Sequence, residues 1–218
     1  MLLAIDTATH VAGLALYDQS GPRAEQVWYT ANNHSVELMP LIVRMCEQTG
    51  LTPAGLSAVA VSLGPGSFTG LRVGLSVAKG LAVALSIPVF GVPTLDATAY
   101  AHRRESAPVC AIVPAGRGRW CAALYRATEG RWQRQSEYLL STPERLAALL
   151  QEPTLVCGEI DAPLSEFLRR VAGPHVILAS PASALRRPGY LAELAWQRLS
   201  VGERDDLVTL APIYVQPA

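Results

Sequence analysis

Residues 58–92 have the sequence AVAVSLGPGSFTGLRVGLSVAKGLAVALSIPVFGV, and this stretch decides the fold. The run Ala58–Leu63 is mostly apolar without alternation, which is typical of a strand buried on both faces of a largely parallel sheet. A Gly-Pro-Gly turn follows, and Ser67 is well placed to cap a helix over Phe68–Leu85. Val89–Val92 predicts the next strand, so the whole stretch predicts a strand-loop-helix-strand unit.

The predicted helix is unusual because small residues recur every four positions along one face. These residues are Gly70, Gly74, Ala78 and Ala82. Each glycine costs about 0.5–1 kcal/mol relative to alanine, so we expect some other group to approach the helix backbone closely there. The remaining surface is apolar except for a narrow polar stripe, formed by Arg72, Ser76 and Lys79. A helix that is apolar nearly all round is buried on more than one side. The second covering is either another subunit or the chain's own domain, and the pattern leaves both open.

Length and charge exclude several classes of protein. The chain has 218 residues, half of them hydrophobic and 17% charged, which indicates a compact globular protein and excludes disorder. Lys plus Arg equals Asp plus Glu at 18 each, so no net field attracts nucleic acid or an anionic membrane. Any contact with RNA would have to be local or supplied by a partner.

The cysteines and the N-terminus indicate the cellular compartment. Four cysteines are scattered without a C-x-x-C pair, which favours buried thiols in a reducing compartment over disulfides or zinc. The chain begins directly with an apolar strand at Leu2–Ile5, with no basic segment or long apolar span before it. We therefore expect neither a signal peptide nor a membrane helix, and a cytoplasmic protein.

Taken in order, the first half of the chain predicts the elements β-β-β-α-β-α-β-α. Its first helix runs from about His34 to Thr49 with helical apolar spacing, and Asn32 and Asn33 can cap it. Pro40 inside this segment predicts a kink or a later start.

The second half repeats the pattern of the first. Ala4-Ile5 with Leu14–Tyr17 has its counterpart in Ala111-Ile112 with Ala122–Tyr125, and each pair is followed by a third strand. We therefore predict an α/β fold of duplicated ribonuclease-H-like lobes, with mixed sheets flanked by helices. This is the arrangement of the actin, Hsp70 and sugar-kinase superfamily. The first lobe is predicted at residues 1–105 and the more divergent second lobe at residues 106–218.

This fold makes nucleotide binding the first function to consider. Asp6 at a strand end, with Thr7 and Thr9 beside it, has the chemistry to hold a hydrated Mg²⁺ and phosphate. The second hairpin, Pro114–Arg117, carries no carboxylate, and no Gly-Gly adenosine loop follows it. We therefore predict a vestigial phosphate loop at Asp6, Thr7 and Thr9, and no cofactor in the isolated chain.

Other chemistries lack their motifs. No G-x-x-x-x-G-K-[ST] register exists in the glycine loop, and no G-x-S-x-G elbow surrounds Ser67. His34 is followed four residues later by Leu38, so one helix face lacks the second histidine that a metal pair needs. We predict no metal site and no catalytic residue.

Several segments of the chain resemble the bacterial TsaB (YeaZ) family. They are Gly64–Gly74, Ile5–Thr9 and His34–Ile42, with the tail Pro212–Val215 similar to that family's end. The family is related to TsaD, the catalytic subunit that puts a threonylcarbamoyl group on the adenosine beside the anticodon of certain tRNAs. The older label for both is the M22 glycoprotease family. The paired metal histidines of TsaD would fall at His34 and Leu38, and the second is missing here.

The resemblance implies a non-catalytic scaffold that dimerises with a TsaD-like subunit, or with itself when alone. A TsaE-like ATPase joins that assembly, tRNA is reached only through the complex, and any ATP or ADP belongs at the interface of the complex. The implied partner surface uses two helices of the first lobe. Its residues are His34, Val36, Met39, Val43, Gly70, Arg72, Val73, Gly74, Ser76, Val77 and Leu81. The family commonly has Asp-Ala-Arg in the second hairpin, where this chain has Pro114–Arg117, so no role is assigned to that hairpin.

Two other functions stay open. One is an independent ATP-binding ATPase or kinase of the actin-like type that uses Asp6. The other is an M22-type peptidase, which only the older family label suggests.

Overall fold

Two mixed sheets organise the described residues, 1–31 and 33–215, of this computed structural model. The first sheet has the order β3-β2-β1-β4-β5. Its strands are β1 (Leu2–Asp6), β2 (Val11–Asp18), β3 (Gly21–Tyr29), β4 (Ala58–Ser62) and β5 (Val89–Val92). The pairs β1–β2 and β2–β3 are antiparallel, whereas β1–β4 and β4–β5 are parallel. The fully buried β1 and β4 fit their nearly continuous apolar sequences.

The second sheet repeats this order. Its strands are β6 (Val109–Pro114), β7 (Trp120–Thr128), β8 (Arg131–Arg134), β9 (Leu139–Ser141), β10 (Thr154–Gly158) and β11 (Val176–Leu178). From the hairpin edge the order is β8-β7-β6-β10-β11, with β9 paired to β7. Strands at matching positions are antiparallel or parallel in the same way as in the first sheet. The predicted duplicated α/β fold is confirmed.

The helices lie between these strands along the chain. They are α1 (His34–Thr49), α2 (Phe68–Leu85), α3 (Thr94–Tyr100), α4 (Pro143–Leu149), α5 (Ala162–Ala172) and α6 (Pro188–Ser200). The bounds of α1 and α2 are those predicted, and α1 continues through Pro40. Asn33 occupies the cap position of α1 without a side-chain hydrogen bond, and Asn32 lies outside the described residues. Ser67 caps α2 as predicted, by accepting a hydrogen bond from the amide of Gly70.

The structure divides the chain differently from the predicted lobes. One compact unit contains residues 1–94 and 187–213, and the other contains residues 95–186 with 214–215 of the described tail. The predicted boundary between residues 105 and 106 therefore lies about one helix too late. The second correction is that α6 and most of the tail belong to the first unit. The predicted division into two continuous segments places these residues in the wrong lobe, because the chain returns to its first sheet after residue 186.

Helices of the same chain cover both faces of the first sheet. Leu3 of β1 shares one core with Leu38 of α1 and with α2. α6 contacts all five strands, and a Cβ on Gly13 of β2 would lie 2.9 Å from the Pro188 side chain at its start. Gly13 faces away from its neighbour Leu14, which belongs to the core under α1 and α2, so α6 lies on the opposite face. The first unit therefore completes its own three-layer core.

A carboxylate from the sheet caps the start of α6. Arg187 stands at the cap position without a side-chain cap. The amide of Gly189 instead donates a hydrogen bond of 2.7 Å to Glu25 of β3, which also pairs with the guanidinium of Arg187. Negative charge at a helix N-terminus is favourable, so Glu25 joins the returning helix to the edge of the first sheet.

The returning segment also covers the opposite edge strand, β5. Asp205 accepts a hydrogen bond of 2.7 Å from the amide of Gly91, and Arg198 donates one of 3.1 Å to the carbonyl of Gly91. Arg198 and Asp205 also form an ion pair with each other. The pair thus occupies both backbone groups of Gly91, which blocks pairing of this edge with another chain.

Burial by itself would raise the pKa of the Asp205 carboxyl. The hydrogen bonds from Arg198 and from the amide of Gly91 outweigh that effect and hold the pKa below its ordinary value. The unfolded chain therefore binds the proton more tightly than the folded one. The stabilisation by this carboxylate is complete above the ordinary pKa of about 4 and is lost as the pH falls below it.

We expect Asp205→Asn to lower the free energy of unfolding at pH 7 by about 1–2 kcal/mol, because Arg198 loses a charged partner. Urea unfolding at pH 7 and pH 3 measures the effect, and the gap between wild type and variant should narrow at pH 3. Glu203→Gln is the control. Glu203 bonds the same arginine but its side chain is 56% exposed, so its loss should matter less. An equal gap at both pH values would contradict this role for Asp205.

Candidate functional site

The candidate phosphate residues lie in the turn between β1 and β2, and their polar atoms bind the chain's own backbone. Asp6 is 3% exposed and accepts a hydrogen bond of 3.0 Å from the amide of Ala8. The hydroxyl of Thr7 donates to the carbonyl of Gly70 at 2.7 Å. The hydroxyl of Thr9 accepts from the amide of Val11 at 3.1 Å. The groups that would hold a phosphate or hydrated metal ion therefore stabilise the turn itself.

The glycines around the start of α2 exist because this turn packs directly against the helix. An added Cβ at Gly66 would lie 2.2 Å from the carbonyl oxygen of Ala8. A Cβ at Gly70 would lie 2.2 Å from the carbonyl oxygen of Thr7, and one at Gly74 would lie 2.2 Å from the Thr7 hydroxyl. The close approach predicted from the glycines is real, but the approaching backbone belongs to this chain.

His34 is also turned inward. It is the first residue of α1, is 3% exposed, and its Nε2 lies 3.0 Å from the carbonyl oxygen of Thr9. A carbonyl only accepts, so Nε2 carries the hydrogen and donates. Leu38, one turn later, is fully buried. Among the described residues no cluster of three His, Cys, Asp or Glu side chains could hold a metal ion.

These positions correct the predicted partner surface. His34, Gly70 and Gly74 are buried within the first unit, because the β1–β2 turn and the core occupy their side of the two helices. A substitution at Gly74 therefore tests the core rather than a partner surface.

The outward side of α1 carries an apolar stripe. Val36, Met39 and Val43 are 72%, 41% and 50% exposed, and they form a row beside the buried Leu38 and Ile42. A monomeric protein gains nothing from an apolar row on the outer face of a helix, whereas single exposed apolar residues are common.

The neighbouring side of α2 completes this surface. Arg72 and Ser76 are exposed, whereas three apolar residues are half-buried against the unit's own core. These three are Val73, Val77 and Leu81. Together these residues form a candidate surface for a partner, which we call the docking face. Its exposed residues are Val36, Met39, Val43, Arg72 and Ser76, and its half-buried residues are Val73, Val77 and Leu81.

Two exposed apolar residues of α2 are not in the predicted partner surface. Phe68 is 55% exposed, with the guanidinium of Arg72 3.8 Å from its ring centroid, and Val83 is 63% exposed. Phe68 lies four residues before Arg72 and Val83 lies seven after Ser76, so both belong to the polar stripe's row. These spacings of four and seven residues from the polar stripe indicate that both side chains lie on the exposed side of α2.

By length and composition alone, α2 could span a membrane, since its 18 residues have a mean hydropathy of 1.4. We expected no such segment from the sequence. In the structure 33% of this helix is buried against the rest of the unit, across β4 and β1. Its small-residue face packs on the sheet and on the β1–β2 turn, which is the position of a core helix.

The second unit has a cleft at the carboxyl ends of its parallel strands. A cavity of about 750 Å³ lies between the hairpin turn after β6, the β10–α5 loop and the segment after β11. Glu159 in this cleft pairs with the buried Arg186 at 2.7 Å, and Asp161 caps α5 through the amide of Leu164 at 2.9 Å. No sequence motif indicates this cleft, because the walls of the cleft come from three segments that are distant along the chain.

Together the repeated sheet and the inward-turned first hairpin define the class. This is an actin-like, ribonuclease-H-like α/β protein in which the first hairpin packs against its own helix. The solved structure of the ethanolamine utilization protein EutJ from Carboxydothermus hydrogenoformans shares the fold. Its TM-score is 0.53 at 16% identity, covering 87% of this chain and 88% of that one.

Closer similarities are more specific. The family model described as "TsaD: tRNA N6-adenosine threonylcarbamoyltransferase" matches residues 28–172. The tRNA threonylcarbamoyladenosine biosynthesis protein TsaB of Bacillus subtilis is 30% identical over 220 residues, covering 100% of this chain and 94% of its own. Escherichia coli TsaB is 32% identical over 154 residues, covering 69% and 66%. The structure of YeaZ from Pseudomonas aeruginosa has a TM-score of 0.81 at 26% identity, covering 98% and 99%.

The chain belongs to the TsaB (YeaZ) family of tRNA threonylcarbamoyladenosine biosynthesis proteins. The resemblance carried by the glycine-rich run is thereby confirmed.

Two glycines of α2 give a matched test of the turn contact. We expect Gly74→Ala to lower the free energy of unfolding by about 1–3 kcal/mol, because its Cβ would meet the Thr7 hydroxyl at 2.2 Å. Gly80→Ala in the same helix meets nothing within 4 Å and should raise stability by about 0.5–1 kcal/mol. Urea unfolding of both variants measures whether each substitution lowers or raises the free energy of unfolding. Equal stabilisation by both would show that the turn does not press on α2.

Proposed function

We propose that this chain is a non-catalytic subunit that docks on a TsaD-like catalytic subunit. In that assembly, which a TsaE-like ATPase joins, the catalytic subunit modifies the adenosine beside the anticodon of tRNA. The observation that carries the proposal is the exposed apolar stripe Val36, Met39 and Val43 beside α2. Membership of the TsaB family gives the kind of partner.

The composition of the docking face suits a protein partner. Its centre is apolar, and Arg72 and Ser76 supply polar groups beside it. Interfaces favour aromatic residues, Met and Arg over Lys and Glu, and Met39 and Arg72 fit that preference. The half-buried Val73 and Val77 would lose their remaining exposure under a partner helix. We propose that the same face supports a homodimer when the chain is alone.

The state of the first hairpin supports a non-catalytic role. The hydroxyls of Thr7 and Thr9 and the carboxylate of Asp6 are engaged with backbone groups of the turn and of α2. Opening the Thr7 hydroxyl to a nucleotide would require it to leave the carbonyl of Gly70 in α2. We therefore propose that the isolated chain uses no cofactor and that ATP or ADP belongs to the assembled complex.

The charge balance supports indirect contact with tRNA. With 18 basic and 18 acidic side chains, the chain has no excess positive charge to attract a phosphate backbone. We propose that tRNA is held through the complex and that the protein works in the cytoplasm, where tRNA modification takes place.

A charge on the stripe should weaken association strongly. We expect Val36→Glu to weaken binding to a TsaD-like protein about 30-fold or more, because burying an unpaired carboxylate costs about 2 kcal/mol. Glutamate in the first turn of α1 is favourable for the helix, so folding should not suffer. Calorimetric titration measures the affinity, and light scattering measures the mass of each species.

Val201→Glu is the matched control. Val201 follows α6 in the same unit and is 74% exposed, compared with 72% for Val36. It should bind the partner as the wild type does. Equal binding by all three proteins, or no complex with the wild type, would refute the docking proposal.

Calorimetry with Mg-ATP tests the independent ATPase or kinase. We expect no saturable heat from the isolated chain, because the atoms that would bind phosphate and metal are engaged with the backbone. Tight binding that Asp6→Asn removes would favour the ATPase instead.

For the peptidase, a chelator-sensitive cleavage that survives repurification is the outcome that would contradict our proposal.

A further inference from the structure

The turn between β1 and β2, residues 7–10, holds the starts of both docking helices. On the α2 side, the Thr7 hydroxyl donates to the carbonyl of Gly70 at 2.7 Å, and the amide of Ser67 donates to the carbonyl of Ala8 at 2.6 Å. The three glycines of this region let the turn reach the helix backbone. The contact is buried, so the position of the turn fixes the position of the first turns of α2.

On the α1 side, the same turn is held by His34. The ring nitrogen of His34 donates to the carbonyl of Thr9 at 3.0 Å, in a fully buried contact. The cap residue Asn33 makes no side-chain hydrogen bond at this helix start. The imidazole of His34 therefore anchors the start of α1 to the turn.

The two anchor points lie directly under the docking face. Val36 follows His34 by two residues, and Arg72 and Val73 follow Gly70 by two and three residues. A change in the turn would shift these residues of α1 and α2 relative to each other. Buried polar networks of this kind rigidify a structure when all members are satisfied.

We infer that residues 7–10 act as a strut that sets the spacing of α1 and α2, and that Thr7 and His34 are positioning residues for partner binding. The inference rests on the proposed docking function. A rigid, preformed surface loses less freedom on association than a mobile one, so the strut contributes to affinity without touching the partner.

Three variants at Thr7 and His34 test the strut. Thr7→Val keeps the shape of the side chain and removes the hydroxyl, and His34→Phe keeps a ring and removes the donor. Each should weaken binding to the TsaD-like partner about tenfold in a calorimetric titration. Thr7→Ser restores the hydroxyl and should bind as the wild type does.

Tyr125→Phe is the control for global stability. Tyr125 is buried in the second unit and donates a hydrogen bond of 2.7 Å to Asp96, so its variant also loses one side-chain hydrogen bond. Tyr125→Phe should reduce thermal stability about as much as Thr7→Val and His34→Phe do, and should leave the affinity for the TsaD-like partner unchanged. Circular dichroism establishes that each variant is folded, and His34→Phe carries the test if Thr7→Val does not fold.

The outcomes separate the strut from the docking proposal. If Thr7→Val and His34→Phe bind like Tyr125→Phe while Val36→Glu binds about 30-fold more weakly or worse, the strut is refuted and the docking face stands. If Val36→Glu binds as the wild type does, or the wild type forms no complex, the docking proposal fails first. A tenfold loss in both positioning variants with recovery in Thr7→Ser supports the strut.

Discussion

The close approach of the β1–β2 turn to α2 is the constraint on which the first unit depends. Backbone and hydroxyl atoms of residues 7–8 lie where Cβ atoms of Gly66, Gly70 and Gly74 would be. Only glycine tolerates this distance, so α2 accepts a loss of helix propensity at Gly70 and Gly74, and Gly66 allows the same close approach just before the helix cap. The contact engages the hydroxyl of Thr7 with the carbonyl of Gly70. It also fixes which face of α2 is inside, and therefore which face remains for a partner.

The second unit shows what the same topology does without this constraint. Its strand order repeats that of the first sheet, yet a Cβ at Gly116 or Gly118 of the corresponding hairpin would meet nothing within 4 Å. That hairpin turn lines a cleft of about 750 Å³ instead of packing on a helix. The helix after the matching strand, α5, is amphipathic, with a basic last turn at Arg169 and Arg170. Of the two helices at this position, only α2 in the first unit is apolar nearly all round, and the proposed docking face lies there.

The sequence predicts the parts of this protein that local patterns control. The bounds of α1 and α2, the buried strands and the duplication follow from periodicity, caps and glycine punctuation. The return of α6 to the first sheet does not follow from local patterns. The carboxylate that caps this helix belongs to Glu25, which is 162 residues away from Arg187 at the helix start. The single third strand expected after Ala122–Tyr125 is also not found, since the chain forms the short β8 and β9 with a break between them.

The candidate site shows the same division between local and distant information. The four-residue spacing of Gly70 and Gly74 correctly indicates close packing, but a spacing cannot say which chain supplies the neighbour. His34 looks like a surface residue because it begins a helix, and only the distant carbonyl of Thr9 turns it inward. Exposure alone is equally ambiguous, because Val201 and Val208 are 74% and 85% exposed without forming a face. What distinguishes the stripe on α1 is that its residues share one side of a helix. The start of that helix is anchored to the same turn as α2, so the two surfaces can meet a partner as one rigid body.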